Sequence, residues 1–227
     1  MIKKMIIKRF VFIFLLFFIF ASAKAEDWVS SLTCDNNFVA DCMLNGMMYF
    51  EEEDFSKANI YLEKACNLND GDGCFFLGFL YAGGLGVKQD YNIAQKYYEK
   101  ACNLNSGTGC SALASIFYRK QDYSKAKNYY EKACNLNSGD GCFGIGLLYY
   151  KGSGVEKQNY SKANTYYEKA CSLKNADGCI NLAASYVSGE GVRQNMSMAK
   201  SYFGKACDMG EQRGCEGYRI LNELGIH

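Results

Sequence analysis

The sequence predicts an all-α fold: a right-handed solenoid of αα-hairpins stapled by disulfides. Three observations predict it. Twelve cysteines fall in six pairs, each eight residues apart: Cys34 and Cys42, Cys66 and Cys74, Cys102 and Cys110, Cys134 and Cys142, Cys171 and Cys179, Cys207 and Cys215. Successive pairs are displaced by 32, 36, 32, 37 and 36 residues, the period of stacked helix pairs that bury their apolar faces only against their neighbours. Between the pairs, apolar residues recur at i, i+3, i+4 and i+7, which is one face of a helix.

The first 25 residues stand apart. Lys3, Lys4, Lys8 and Arg9 precede an apolar run from Phe10 to Phe20, followed by "ASAKA". A basic start, a short apolar core and an Ala-x-Ala site read as a cleaved signal peptide, residues 1–25. The run falls short of the roughly 20 residues needed to span a bilayer, so the mature chain is expected secreted or periplasmic, without a membrane anchor. Cleavage removes five of the 25 basic residues and none of the 24 acidic ones, leaving a net charge of −4. That balance offers nucleic acid no electrostatic footprint.

Residues 26–227 read as one solenoid: a leading half-repeat at 27–41, repeats beginning near 42, 74, 110, 142 and 179, and a capping helix at 215–225. Helix A follows the second cysteine of each pair. Counting from that cysteine, position +3 is Leu77, Leu113, Ile145 or Leu182, and +4 is Gly78, Ala114, Gly146 or Ala183. The small residue at +4 admits another helix closely, at a cost of about 1 kcal/mol where it is glycine. The first repeat departs from this pattern with Asn45 at +3.

Helix B precedes the next pair, with alanines eight and one residues before the cysteine (Ala94 and Ala101, Ala126 and Ala133, Ala163 and Ala170). An aromatic residue or leucine stands four before it (Leu62, Tyr98, Tyr130, Tyr167, Phe203). Tyrosine suits that place because its ring fills a seam while its hydroxyl reaches water. Long repeats carry a glycine loop between A and B ("AGGLGV", "KGSGV", "SGEGV"), where short ones pass through "FEEEDF" or "YRKQDY". Glycine supplies the positive φ such a loop needs. The loop recurs in register with no strand before it, so it is not read as a phosphate cradle.

An exported chain with an even cysteine count is expected to be fully bonded. Pairing A to B within a unit gives spacings of 24, 28 or 29 and strands Cys34 and Cys215. Pairing each cysteine with the one eight residues on uses all twelve, from Cys34–Cys42 to Cys207–Cys215. It also holds one spacing while loops vary, and is the expected scheme. The "NLNSGTG" stretch then reads as the end of helix B and a tight glycine-rich turn, clamped on both sides. Zinc is not expected, because structural sites favour Cys-x2–4-Cys knuckles.

The segment from Cys74 to Cys102 resembles the Sel1-like repeat, a relative of the tetratricopeptide (TPR) repeat. It carries Leu77-Gly78 followed by Tyr81, the loop Gly84-Leu85-Gly86-Val87, an acidic residue after it, and spaced alanines in the second helix. With the export signal and the eight-residue clamps, the chain is similar to the Helicobacter cysteine-rich protein family. That resemblance implies exported, disulfide-bridged repeats that bind penicillin and hydrolyse β-lactams slowly, or that contact envelope or host proteins.

The residues themselves offer little for catalysis. Ser-x-x-Lys occurs at Ser124–Lys127 and Ser197–Lys200, but the Ser-Asp-Asn and Lys-Thr-Gly companions of serine β-lactamases are absent. Ser56 and Ser161 hold the equivalent place without the lysine, so all four serines read as helix N-caps. Glu99, Glu131 and Glu168 recur in "YEKAC" and read as a solvated face, and the sole histidine is His227. No cofactor or metal is expected.

The readier function is a protein- or peptide-binding scaffold. Positions +1 and +5 of helix A hold Phe75 and Phe79, Phe143 and Leu147, Ile180 and Ala184. If the A helices line the concave side, these form an apolar groove for a protein or peptide ligand, or for a small β-lactam or cell-wall fragment. Packing between consecutive A helices is the other reading of the same residues.

Overall fold

The computed structural model describes residues 39–226, which form eleven α-helices with no strand among them. The predicted signal peptide and the half-repeat as far as residue 38 lie outside the described residues. In chain order the helices are α1 (Val39–Glu51), α2 (Phe55–Asn67), α3 (Gly71–Gly83), α4 (Tyr91–Asn103), α5 (Gly107–Arg119), α6 (Tyr123–Asn135), α7 (Gly139–Lys151), α8 (Tyr160–Ser172), α9 (Ala176–Ser188), α10 (Met196–Asp208) and α11 (Gln212–Glu223). Odd helices through α9 are A helices, even ones are B helices, and α11 packs against the fifth pair. The ten helices before α11 are each 13 residues long. The extra residues of the long units therefore stay in the A–B loop and leave the packed helices unchanged.

Side-chain caps set the boundaries. Asp54, Asp90, Asp122, Asn159 and Asn195 start the B helices by accepting backbone N–H groups one turn in. The serines expected to cap, Ser56, Ser124, Ser161 and Ser197, stand two residues inside the cap. The acid or amide that precedes them has already taken the free N–H groups.

The turn from B to A also differs from expectation. The glycines of "GDG" and "GTG" belong to the first turn of helix A, and the positive φ falls on Asn69, Asn105, Asn137 and Lys174. The next residue's N–H closes each turn onto the last alanine of helix B, as in Ser106 to the Ala101 carbonyl at 3.0 Å. Glycine is needed for closeness. A Cβ on Gly73 or Gly178 would lie 2.8 or 2.6 Å from the Cβ of Ala65 or Ala170.

At that contact Cys66–Cys74, Cys102–Cys110, Cys134–Cys142, Cys171–Cys179 and Cys207–Cys215 are bonded, with Cα atoms 4.4–4.6 Å apart. The sixth expected pair, Cys34–Cys42, differs from these five because only one of its members is described. Cys42, in the first turn of α1, is fully buried and disulfide-bonded. Its expected partner Cys34 lies outside the described residues, so the pairing of Cys42 rests on the eight-residue spacing it shares with the other five.

Within each unit the core is the predicted stripe. Leu77, Leu113, Ile145 and Leu182 and the repeated alanines are buried. Each large aliphatic contributes about 1.5–3 kcal/mol by leaving water. Beside this core every unit stacks one ring from each helix: Tyr49 on Tyr61, Tyr81 on Tyr97, Phe117 on Tyr129, Tyr149 on Tyr166 and Tyr186 on Tyr202, with centroids 5.4–5.8 Å apart.

Two aromatic assignments change. In the fifth unit Tyr202 is the buried ring, while Phe203 turns toward Gly217 of α11. Tyr167 is wholly buried, and its hydroxyl has no hydrogen-bond partner among the described residues.

Polar bridges join neighbouring units. Lys100, Lys132 and Lys169 reach back to the carbonyls of Cys66, Cys102 and Cys134 at 2.8, 2.7 and 3.1 Å. A cation there meets the negative end of the preceding B helix. Asp72 accepts from Ser106 at 2.8 Å, and Asp140 from Asn175 at 2.7 Å. The "YEKAC" lysine is thus an inter-unit strut.

Candidate functional site

Along the stack, A helices touch the A helices of adjacent units, whereas among the described helices no B–B pair approaches as closely. The A row therefore lies on the inner side of the curve. At 3.6 residues per turn, positions +5 and +9 point away from the unit's own B helix. Exposed there are Phe79, Ser115, Arg119, Lys151, Ala184 and Ser188, with Leu147 half-buried among them.

The structure divides the residues singled out from the sequence. Phe75, Phe143 and Ile180, at +1, are half-buried in the seam between units. Phe75 and Phe143 lie 5.8 Å from the rings of Tyr98 and Tyr167. These three act as packing. Phe79 is 43% exposed, 5.9 Å from Phe50, and lies on the accessible stripe with Leu147 and Ala184.

Sequence reasoning missed position +8, where Phe50, Tyr118 and Tyr150 stand half-buried beside that stripe. The Tyr118 hydroxyl accepts from Lys151 at 2.9 Å, and the Tyr150 hydroxyl donates to Glu190 at 3.3 Å. An aromatic residue at +8 in three of five A helices was the available signal.

Electrostatics on this side are basic at the centre. Arg119, Lys120 and Lys151 cluster there, and the six ion pairs among the described residues use none of them. Burial holds the Tyr98 and Tyr130 phenols above the usual tyrosine range and keeps them neutral; nearby Arg119 and, for Tyr130, the Ser115 bond oppose the shift.

The Ser-x-x-Lys sites do not assemble. Lys127 faces Glu131 at 3.6 Å, and Lys200 bonds Asn222 and the Ile226 carbonyl. Each lysine is engaged away from its serine.

Between α3, α4 and α5 lies a groove of about 500 Å³, lined among others by Tyr91, Gln95, Tyr98, Ile116, Arg119 and Lys120. No described helix is long and apolar enough to cross a membrane.

Comparison with known proteins matches this geometry. The Sel1 repeat model matches residues 36–70, 71–106, 139–175 and 176–211, and a tetratricopeptide repeat model matches 109–140, the short third unit. Two Helicobacter pylori proteins share a 44-residue stretch: HcpC (strain ATCC 700392 / 26695) at 48% identity and Beta-lactamase HcpA (strain J99 / ATCC 700824) at 43%. The stretch covers 19% of this chain but only 15% and 18% of those relatives.

A solved Sel1 repeat protein from Oxalobacter formigenes superposes with a TM-score of 0.73 at 20% identity, covering 91% of this chain and 95% of that one. This likeness shows the fold. The four Sel1 matches span well over half the sequence, and the chain belongs to the Sel1 repeat family.

Proposed function

We propose that the protein is an exported interaction scaffold that works in the periplasm or outside the cell, its inner helical face receiving a protein or peptide. The carrying observation is the accessible stripe on the A helices, where Phe79 and Leu147 stand beside half-buried Phe50, Tyr118 and Tyr150. Exposed aromatic groups on a rigid concave support suit recognition better than catalysis. Five described disulfides support export, because such bonds persist in oxidising compartments. Cleavage of residues 1–25 belongs to the same reading. Capture from envelope extract with the oxidised protein tests it: Phe79→Ser with Leu147→Ser should abolish recovery of a partner without changing the melting temperature. Unchanged recovery refutes the inner face as the site.

A second reading is β-lactam binding with slow hydrolysis, favoured by the name of the relative HcpA. The same preparation incubated with a chromogenic cephalosporin, followed by intact-mass measurement for an acyl adduct, decides it. Neither turnover nor adduct would remove this reading.

A further inference from the structure

The three glycine loops share a resting place. A Cβ on Gly86 would lie 2.6 Å from the Ser56 nitrogen, one on Gly154 would lie 2.6 Å from the Tyr123 Cβ, and one on Gly191 would lie 2.6 Å from the Ser161 nitrogen. Each loop is thus pressed onto the start of the preceding unit's B helix. Val87 and Val155 join the apolar clusters there. The third loop is also held by a side chain, since Asn164 donates to the Glu190 carbonyl at 2.7 Å.

The third unit has no such loop, so the start of α4 is uncovered. Phe55, Tyr123 and Tyr160 begin their B helices half-buried, whereas Tyr91 in the same position is 62% exposed. On the facing A helix, Leu80, Leu148 and Ser185 at +6 are buried, while Ile116 is only half-buried. The groove of about 500 Å³ is the space left by the missing loop.

We infer that this groove is an open loop seat that takes a partner segment reproducing the missing strand of chain: a glycine followed by an aliphatic residue, with a carboxylate beside it. Three features fix that chemistry. The apolar floor of Tyr91, Tyr98 and Ile116 is where valine lies in the other units. Gln95 occupies the place of Asn164, so its amide can donate to the occupant's backbone carbonyl as Asn164 does; its own Oε1 accepts from Lys120 at 2.9 Å. Arg119 and Lys120 form a basic rim with no acidic partner among the described residues, while nearby Asp90 already accepts the Asn92 and Ile93 N–H groups. The seat opens beside the inner stripe at Ser115 and shares Arg119 with it but does not use Phe79 or Leu147, so Phe79→Ser with Leu147→Ser, which tests the inner-face reading, should leave binding in the seat unchanged.

The test is titration of the oxidised, isotope-labelled full chain with Ac-Gly-Gly-Leu-Gly-Val-Glu-Glu-NH2, read by amide shifts. Saturable shifts are expected at Tyr91, Gln95 and Ile116. Serine in place of the leucine and valine should weaken binding by roughly tenfold or more. Lysine in place of the glutamates, or Arg119→Gln with Lys120→Gln in the protein, should weaken it about threefold to tenfold. Replacing residues 118–120 by the seven-residue sequence of 82–88 should fill the seat and abolish binding. The double charge variant keeps the test valid if that graft does not fold. No saturable shift at millimolar peptide, equal affinity for the serine peptide, or concentration-dependent association of the protein through this groove would each overturn the inference.

Discussion

Replacing Cys102 and Cys110 by alanine removes the staple between the second and third units. The bonded pair closes a loop whose ends are eight residues apart. A loop of this size restricts the unfolded chain by about 2.5 kcal/mol in the entropy model. Both sulfurs are fully buried, so their loss adds about 1 kcal/mol of transfer free energy. The sum of about 3.5 kcal/mol corresponds to a fall of roughly 7–14 °C in melting temperature for a chain of this size.

Position matters as well as magnitude. In a solenoid, coupling runs only between neighbours, so cutting a central junction should broaden the transition or split it. The matching change at Cys207 and Cys215 should loosen α11 alone. Thermal circular dichroism of the oxidised proteins, with non-reducing peptide maps to establish that the other bonds are intact, measures both effects. The same maps should recover the Cys34 and Cys42 peptides joined to each other. A drop below about 2 °C with an equally sharp transition would refute the reasoning, and the Gly–Ala contact would then hold the junction unaided.

Two further substitutions probe the packing. Gly141→Ala should destabilise the protein by about 1–2 kcal/mol in urea unfolding: crowding costs roughly 1–3 kcal/mol, partly offset by the better helix propensity of alanine. The new Cβ would stand 2.6 Å from the Cys134 nitrogen, and a stabilised variant would show that the backbone there yields. Tyr167→Phe should leave stability unchanged or raise it by up to about 1 kcal/mol, because the buried hydroxyl it removes has no partner among the described residues. A clear loss by differential scanning calorimetry would reveal a bond to that hydroxyl.

Legibility in the sequence followed how local each determinant is. The period, the A and B faces and the eight-residue clamp could be read because each unit folds against its nearest neighbours, so Leu77, Leu113 and Ile145 repeat their environment as faithfully as their spacing. Errors arose where two groups compete for one local role. Serine at the B-helix start looked like a cap until Asp122 and Asn159 took the N–H groups. The glycines of "NLNSGTG" looked like the turn itself until they joined the first turn of helix A and Asn105, with Asn137 in the next unit, took the positive φ. Phe75 and Phe79 are indistinguishable by residue type, and only tertiary packing, against Tyr98 and the units on either side, half-buries Phe75 and leaves Phe79 in reach.

The shortened third unit shows why a missing segment is harder to read than a present one. From sequence, "YRKQDY" is a shorter connection that needs no glycine, and its own unit is complete: Gln121 takes the positive φ, and Asp122 caps α6. The consequence appears where α5 meets the preceding unit: Tyr91 of α4 and Ile116 of α5 lose the cover that Val87 and Val155 give elsewhere. A deletion in one repeat thus exposes apolar surface in another. Exposed apolar area has a cost in water, and here it adjoins two cations outside every described ion pair and a glutamine in the place of the asparagine that holds a loop carbonyl. Filling the seat with the chain's own loop sequence should therefore raise stability while removing affinity for the acidic peptide; because the graft also deletes Arg119 and Lys120, affinity must fall further than in Arg119→Gln with Lys120→Gln for vacancy and recognition to share the same atoms.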